Sequence, residues 1–212
     1  MLQYITNTKC GVNVSDQIFA VIEGGCRWVQ VRMKDASDEE IQKVIETVKQ
    51  KCIDTETFLL LDDRVDLAKT LNVGGVHLGK DDMPVSKARM ILGAAAVIGV
   101  TANSLSDVLA VSALDIDYFG IGPFAHTETK ENLAPVLGLE GIRKICFEME
   151  EKHIEIPRVA VGGIKLDDVL PLLEAGVNGI AVSGAIAFAD DIEKETRKFI
   201  ERLPATGYGK AE

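Results

Sequence analysis

The sequence predicts an α/β protein built as a single (β/α)8 barrel, the TIM-barrel fold. Short runs rich in β-branched residues alternate with longer amphipathic runs, a pattern typical of parallel strands joined by helical crossovers. Eight such pairs can be counted in the 212 residues, and barrels of this type form one domain from about 200 residues upward. We therefore predict a barrel domain over residues 1–203 and a polar C-terminal tail over residues 204–212.

The eight predicted strands are short and mostly apolar on both faces, as expected for strands buried between a barrel interior and an outer layer of helices. Charged, hydroxyl or glycine residues follow nearly every strand at its carboxyl end, where barrel active sites are assembled. This distribution favours a closed barrel over an open, doubly wound sheet. The predicted strands are residues 3–6, 28–32, 58–61, 75–78, 97–100, 118–121, 159–161 and 179–182.

Helix signals follow the strands. Ser37 and Glu40 have the spacing of a capping box ahead of an apolar stripe, and Pro84 marks the start of the fourth helix. Glycines such as Gly93 and Gly176 stand at helix exits, where a left-handed residue turns the chain toward the next strand. These signals concern the scaffold rather than the chemistry.

The charge balance argues against two classes of partner. The chain has 33 acidic and 23 basic residues and a net charge of -10, which repels nucleic acid and anionic membrane surfaces. No apolar run approaches the ~20 residues needed to span a bilayer. An anionic small-molecule substrate would need a local basic site strong enough to reverse this field.

Cysteine usage and the N-terminal segment predict a cytoplasmic protein. The four cysteines show neither Cys-x-x-Cys spacing nor a nearby histidine pair of the zinc type, and they fit reduced thiols. The N-terminal segment has no basic region followed by an apolar stretch, so we expect no secretion signal.

The second predicted strand ends in a group of cationic and amide side chains. Alternation sends Gln30, Arg32 and Lys34 toward one side. A guanidinium and an ammonium group are the expected partners of a pyrophosphate, since charge-assisted hydrogen bonds to phosphate oxygens are strong. The alternative is that both cations begin a solvated loop.

Two acidic pairs follow the third and fourth strands. Asp62 and Asp63 form the first pair, and Asp81 and Asp82 form the second. Each pair could cap the following helix, or it could hold Mg²⁺, which binds through one or two carboxylates together with substrate phosphates. We interpret His77, inside the fourth strand, as a hydrogen-bonded packing residue rather than a metal ligand.

Phosphate-binding chemistry is also indicated after the last three strands. The loop after strand six carries Thr127, Thr129 and Lys130, whose hydroxyls and ammonium group can hold a phosphate. Glycines at the ends of strands seven and eight, including Gly163 and Gly184, suit the phosphate cup that recurs in this fold.

Together these segments resemble the thiamine phosphate synthase family from about residue 3 to residue 186. Several separate motifs occur in the family's order and at its spacing, which makes the resemblance specific. They are Gln30-Val31-Arg32-Met33-Lys34, Asp62-Asp63-Arg64-Val65-Asp66, residues 75–82, Gly99-Val100-Thr101, Thr127-Glu128-Thr129-Lys130 and Gly162-Gly163-Ile164.

The resemblance implies a transferase that condenses 4-amino-2-methyl-5-pyrimidinylmethyl diphosphate with thiazole phosphate, giving thiamine monophosphate and pyrophosphate. In the family the pyrophosphate is thought to leave first, and the thiazole nitrogen then attacks the resulting cation. The resemblance implies that Gln30 contacts the pyrimidine and that Arg32, Lys34 and Lys130 hold the pyrophosphate. A homodimer is also implied.

The resemblance further implies a cofactor and a second phosphate site. Asp63 and Asp82 are the implied ligands of Mg²⁺, and Thr101 stands near the reacting centre where the family usually has serine. The residues implied to hold the thiazole phosphate are Thr127, Thr129, Gly163, Ser183 and Gly184.

Three further positions depart from the family pattern. Asp62, which we place among the substrate-binding residues, stands where asparagine is common, so a carboxylate replaces an amide beside the pyrophosphate. Lys80 replaces a common glutamine, and we expect it to offset the charge of Asp62. Gly184 replaces a frequent serine and leaves a backbone donor there.

Two alternatives remain open. A thiazole tautomerase resembles the synthase in fold, but Asn103 stands where such a relative is expected to carry a histidine for proton transfer. A non-catalytic sensor of phosphorylated ligands could also use a barrel. Magnesium-dependent release of pyrophosphate would distinguish the synthase from both.

Overall fold

The computed structural model describes residues 1–127 and 134–204 of the chain. Eight parallel strands form a closed barrel in sequence order, and the first strand pairs with the last. The predicted single (β/α)8 barrel is confirmed. The strands are β1 (Leu2–Ile5), β2 (Trp28–Val31), β3 (Phe58–Asp62), β4 (Gly75–Leu78), β5 (Val97–Ala102), β6 (Tyr118–Ile121), β7 (Arg158–Val161) and β8 (Gly179–Val182).

Helices follow the strands around the barrel, and a short 3₁₀ turn (Leu166–Asp168) precedes the seventh helix. No helix of the described part is long and apolar enough to cross a membrane. Apart from Pro204, the predicted C-terminal tail lies outside the described residues. The helices are α1 (Val14–Glu23), α2 (Asp38–Asp54), α3 (Val65–Leu71), α4 (Val85–Leu92), α5 (Leu105–Val111), α6 (Gly138–Glu151), α7 (Val169–Glu174), α8 (Gly184–Ala187) and α9 (Ile192–Arg202).

Two strands extend past their predicted carboxyl ends. β3 includes Asp62, which pairs with His77 of β4, and β5 includes Thr101, which pairs with Gly120 of β6. The strand pairing continues through these residues although the apolar pattern stops before them. Polar side chains are tolerated there because they face a cavity. The longer strands therefore place Asp62 and Thr101 on rigid backbone.

The apolar core has two parts. The larger cluster lies between the strands and the helix layer, where residues such as Leu59 and Leu61 of β3 contact the helices. The smaller cluster contains Leu60, whose side chain points to the opposite face of the same strand. Its buried members, inside the barrel, are Ile5, Leu60, Tyr118, Val159 and Ala181.

Local capping agrees with the sequence signals in α2. The Ser37 hydroxyl accepts a hydrogen bond from the Glu40 N–H at 3.3 Å, and the Glu40 carboxylate accepts one from the Ser37 N–H at 2.8 Å. The predicted capping box is therefore present. It anchors the N-terminus of α2 directly after the loop that carries Lys34.

Candidate active site

A cavity of about 340 Å³ opens at the carboxyl ends of the strands. Every strand contributes to its wall, so the barrel places side chains from distant parts of the sequence around one space. The strand residues that line it are Gln3, Ile5, Gln30, Asp62, His77, Thr101, Gly120, Val161, Ala181 and Val182.

Most of the residues predicted to form the site gather here. Two predicted magnesium ligands, Asp63 and Asp82, are not among the lining residues of this cavity. Thr129 and Lys130 lie outside the described residues. The predicted residues that line the cavity are Gln30, Arg32, Lys34, Asp62, Thr101, Thr127, Gly163, Ser183 and Gly184.

Three cations and two carboxylates form a cluster after β2 and β3, in which Arg64 Nε lies 3.3 Å from Asp63 Oδ1. Arg32 Nε lies 3.5 Å from Asp62 Oδ2, and Lys34 Nζ lies 3.1 Å from the same oxygen. Lys34 also pairs with Asp63. Partial burial opposes the charge of Lys34, but the neighbouring carboxylates of Asp62 and Asp63 outweigh it and hold the pKa of Lys34 above its ordinary value. The lysine is therefore a stable positive charge beside the cavity.

Asp62 also contacts the amide of Gln30, which is almost fully buried. Gln30 Nε2 donates to Asp62 Oδ1 at 2.6 Å. Gln30 Oε1 is buried without a hydrogen-bond partner among the described residues, and Asp62 Oδ2 is within ion-pair distance of both cations but makes no hydrogen bond. A buried unpaired acceptor costs about 1–3 kcal/mol, so this wall of the cavity is arranged to receive donors.

The two predicted metal ligands have other contacts in this structure. Asp63 adopts a left-handed backbone with φ of 59°, which aspartate tolerates better than most residues, and its N–H donates to the His77 carbonyl at 2.9 Å. Asp82 Oδ2 accepts a hydrogen bond from the Gly79 N–H at 2.6 Å, so it closes the turn after β4. Asp82 does not cap α4, whose N-cap is Pro84.

The carboxylate set fits Mg²⁺ in its chemistry. Within residues 1–127 and 134–204, no three or more His, Cys, Asp or Glu side chains are grouped as a metal site. Mg²⁺ does not require such a group, since it binds through one or two carboxylates and takes its remaining ligands from phosphate and water. Asp62 Oδ2, which forms ion pairs with Arg32 and Lys34 but makes no hydrogen bond, adds an oxygen of the required type.

Lys80 does not offset the charge of Asp62, contrary to expectation. Its Nζ pairs with Asp107 Oδ2 at 2.7 Å, at the start of α5. Burial acts against the charged carboxylate of Asp107, but hydrogen bonds from Lys80 and from the Asn103 N–H outweigh it and lower the Asp107 pKa. Asp107 therefore retains Lys80, and Arg32 and Lys34 neutralise Asp62 instead.

His77 makes hydrogen bonds through both ring nitrogens, as predicted, but it also lines the cavity. Its Nδ1 lies 2.9 Å from the Tyr118 hydroxyl, and its Nε2 lies 2.9 Å from Thr101 Oγ1. Gln3 Nε2 donates to the same tyrosine hydroxyl at 3.0 Å. Gln3 and Tyr118 are not among the predicted site residues, although a glutamine in an otherwise apolar strand is a signal of a polar site.

The opposite wall consists of loops after β7 and β8. Gly163 has φ of 68°, and a Cβ added there would lie 2.7 Å from the His126 carbonyl oxygen, so a larger residue would collide with the loop after β6. Ser183 and Gly184 lead into α8, whose first N–H groups have no intrahelical acceptors. Backbone donors at this position suit a phosphate group.

Asn103, at the position expected to hold a histidine in a tautomerase, has a structural role here. Its side-chain amide donates to the Gly122 carbonyl, and its backbone N–H donates to Asp107 Oδ2 at 2.8 Å. Asn103 also lines the cavity, but its amide group does not titrate near neutral pH and cannot act as a general acid or base.

Fold and cavity together define a (β/α)8-barrel enzyme with its site at the carboxyl ends of the strands. The family described as thiamine monophosphate synthase matches residues 2–186. A thiamine-phosphate synthase of Bacteroides thetaiotaomicron is 50% identical over 199 residues, covering 94% of this chain and 95% of the relative. A thiamine-phosphate synthase of Pyrococcus furiosus is 37% identical, with 95% of each chain covered.

A solved structure agrees with these sequence matches. The thiamine phosphate pyrophosphorylase of Pyrococcus furiosus superposes with a TM-score of 0.83 at 33% identity, covering 95% of this chain and 94% of that chain. The chain belongs to the thiamine monophosphate synthase family, and it is a transferase.

Proposed function

We propose that this protein joins 4-amino-2-methyl-5-pyrimidinylmethyl diphosphate to thiazole phosphate, releasing pyrophosphate and thiamine monophosphate. The observation that carries this proposal is one cavity with two walls suited to anions. Arg32 and Lys34 stand on one wall, and the Gly163 and Gly184 loops form the other. A reaction between two phosphorylated substrates needs this arrangement, because it holds both reactants in one space.

The chain's own residues account for the departure of pyrophosphate. The C–O bond of the diphosphate breaks with both electrons on the pyrophosphate oxygen, and the Arg32 and Lys34 cations stabilise that negative charge. Lys130, which lies outside the described residues, is proposed as a third cation. Asp63 and Asp82 would hold Mg²⁺, which supplies further positive charge to the leaving group.

Formation of the C–N bond depends on how the site positions the pyrimidine and the thiazole phosphate. Gln30 is proposed to hold the pyrimidine through its buried amide, whose acceptor oxygen has no partner among the described residues. Thr127, Thr129 and the backbone at Ser183 would hold the thiazole phosphate, so that the thiazole nitrogen can form the new C–N bond. No protein nucleophile is required, and Thr101 contributes a hydroxyl near the reacting atoms.

The direct test mixes purified protein with both substrates and Mg²⁺ and follows thiamine monophosphate and pyrophosphate together. We expect equal amounts of the two products, and we expect a chelator to abolish both. Folded protein that releases neither product from verified substrates would contradict the proposal. Interconversion of thiazole isomers without pyrophosphate release would identify a tautomerase, and ligand binding without turnover would identify a sensor.

The proposed magnesium ligand Asp82 can be tested by a change that preserves its turn. Asp82→Asn keeps an oxygen that accepts from the Gly79 N–H but removes the charge. We expect the Mg²⁺ concentration for half-maximal activity to rise at least about tenfold, with an unchanged melting temperature. The matched control is Asp81→Asn, which makes the same charge change at the neighbouring exposed position. Equal effects of the two variants would refute the assignment.

The homodimer and the cytoplasmic location stay predictions. Sedimentation of the purified protein would test the first.

A further inference from the structure

Four hydrogen-bonded side chains cross the barrel interior and end at the cavity. Gln3 Nε2 contacts the Tyr118 hydroxyl, that hydroxyl contacts His77 Nδ1, and His77 Nε2 contacts Thr101 Oγ1, all at 2.9–3.0 Å. The four residues come from β1, β6, β4 and β5. Gln3 and Tyr118 are buried, whereas His77 and Thr101 are only partly buried and line the cavity wall.

The surrounding strands leave space for this chain of side chains. A Cβ added at Gly99 would lie 2.1 Å from Tyr118 Cζ, and one added at Gly120 would lie 2.9 Å from His77 Cε1. Trp28 supports the tyrosine ring edge-on, with ring centroids 4.9 Å apart. Glycine at two strand positions therefore admits the rings and holds them in this geometry.

The hydrogen bonds of Tyr118 determine which atom donates and which accepts along these four side chains. The Tyr118 hydroxyl accepts the hydrogen bond from Gln3, and burial raises the pKa of Tyr118 far above its ordinary value, so the hydroxyl keeps its own hydrogen. A buried hydroxyl hydrogen requires an acceptor. Among the described residues, the other hydrogen-bond partner of this hydroxyl is His77 Nδ1.

The same direction of hydrogen-bond donation continues across the imidazole of His77. If Nδ1 accepts from Tyr118, the hydrogen of the neutral ring is on Nε2, which donates to Thr101 Oγ1. The Thr101 hydroxyl receives one hydrogen bond from the protein and retains one hydrogen to donate. A hydroxyl that already accepts a hydrogen bond is a stronger donor, because bonds in a chain polarise one another.

We propose that Tyr118 is a positioning residue that holds His77 as the Nε2–H tautomer, so that Thr101 donates its hydroxyl hydrogen to an acceptor on the ligand. Identification of that acceptor as an oxygen of the diphosphate rests on the proposed function. The tautomer itself is inferred from the contacts of His77 with Tyr118 and Thr101, and it needs no substrate. Reversed polarity, with the hydrogen on Nδ1 and Thr101 donating to Nε2, is the outcome that contradicts the proposal.

Nitrogen-15 NMR of histidine-labelled protein measures the tautomer without any substrate. The chain has three histidines, and His77→Gln assigns the signal of interest. At pH 8, above the ordinary histidine pKa of about 6.5, we expect the His77 spectrum of the Nε2–H form. We expect Tyr118→Phe to shift it toward a mixture of tautomers.

The matched control is Tyr4→Phe, which removes another buried tyrosine hydroxyl, one that donates to Gln17 Oε1 at 2.7 Å. This variant should leave the His77 spectrum unchanged. An Nδ1–H spectrum in the unmodified protein, or no response to Tyr118→Phe in a folded variant, would overturn the proposal. Either result is independent of whether the protein turns over the proposed substrates.

A double-mutant cycle tests the effect on the reaction. We expect Tyr118→Phe to lower kcat about three- to tenfold, the worth of one hydrogen bond, with little change in KM. In the Thr101→Val background the same change should have no further effect, whereas Thr101→Ser should retain activity and sensitivity to Tyr118→Phe. Multiplicative losses in the double variant would show that Tyr118 does not act through Thr101.

Discussion

At the scale of single residues, Asp62 contacts both an amide and a pair of cations, and its position in the sequence did not predict these contacts. It accepts a hydrogen bond from Gln30 and lies beside the cations of Arg32 and Lys34. The carboxylate therefore orients the glutamine amide, since it can only accept, while it competes with any anion for the two cations. An asparagine at this position would orient the amide less strictly and would not compete.

This competition predicts the effect of Asp62→Asn. The variant keeps an acceptor for Gln30 but removes a negative charge from the cation cluster, so pyrophosphate should bind about three- to tenfold more tightly, an effect of roughly 1 kcal/mol. Calorimetric titration with pyrophosphate measures the change. Asp115→Asn, which makes the same charge change in the loop between α5 and β6, is the control. Equal or weaker binding by Asp62→Asn would contradict this account.

At the scale of elements, local rules explain the helix starts better than the strand ends. The capping box of α2 follows from the spacing of Ser37 and Glu40 alone. The ends of β3 and β5 depend instead on pairing with a neighbouring strand, at Asp62 and Thr101. These polar residues face a cavity, so the run of apolar residues that predicts each strand ends before the backbone pairing does.

The capping box supplies a stability prediction. Ser37→Ala removes the side-chain acceptor for the Glu40 N–H and should lower the free energy of unfolding by about 1 kcal/mol. Urea denaturation followed by circular dichroism measures this change. Ser86→Ala, at an exposed position in the first turn of α4, should change the stability by less than about 0.5 kcal/mol. Similar losses in both variants would show that the cap contributes nothing specific.

At the scale of the whole molecule, the barrel protects most of its thiols. Cys26, Cys52 and Cys146 are buried, and burial raises the pKa of each thiol to about 11. Cys10 is partly exposed. Since the thiolate is the reactive form, the three buried thiols should react only when the barrel opens.

Thiol labelling at pH 8 tests this expectation. One thiol should react rapidly with a disulfide reagent in the native protein, all four should react after denaturation, and Cys10→Ser should abolish the rapid phase. A raised pKa favours the neutral thiol, so an increase from pH 8 to pH 9 should not make the three buried thiols reactive. Rapid reaction of two or more thiols in folded protein would contradict the burial of this core.

The sequence by itself determined the fold class, the eight strand–helix units and the strand ends at which polar residues collect. These follow from periodicity and capping, which depend on residues near one another in the chain. Only the tertiary structure decided which polar groups pair: Lys80 with Asp107, Gln30 with Asp62, and Tyr118 with His77. The physical reason is that barrel closure and register bring distant strands together, and the competition among neighbouring charges, donors and acceptors then selects each partner.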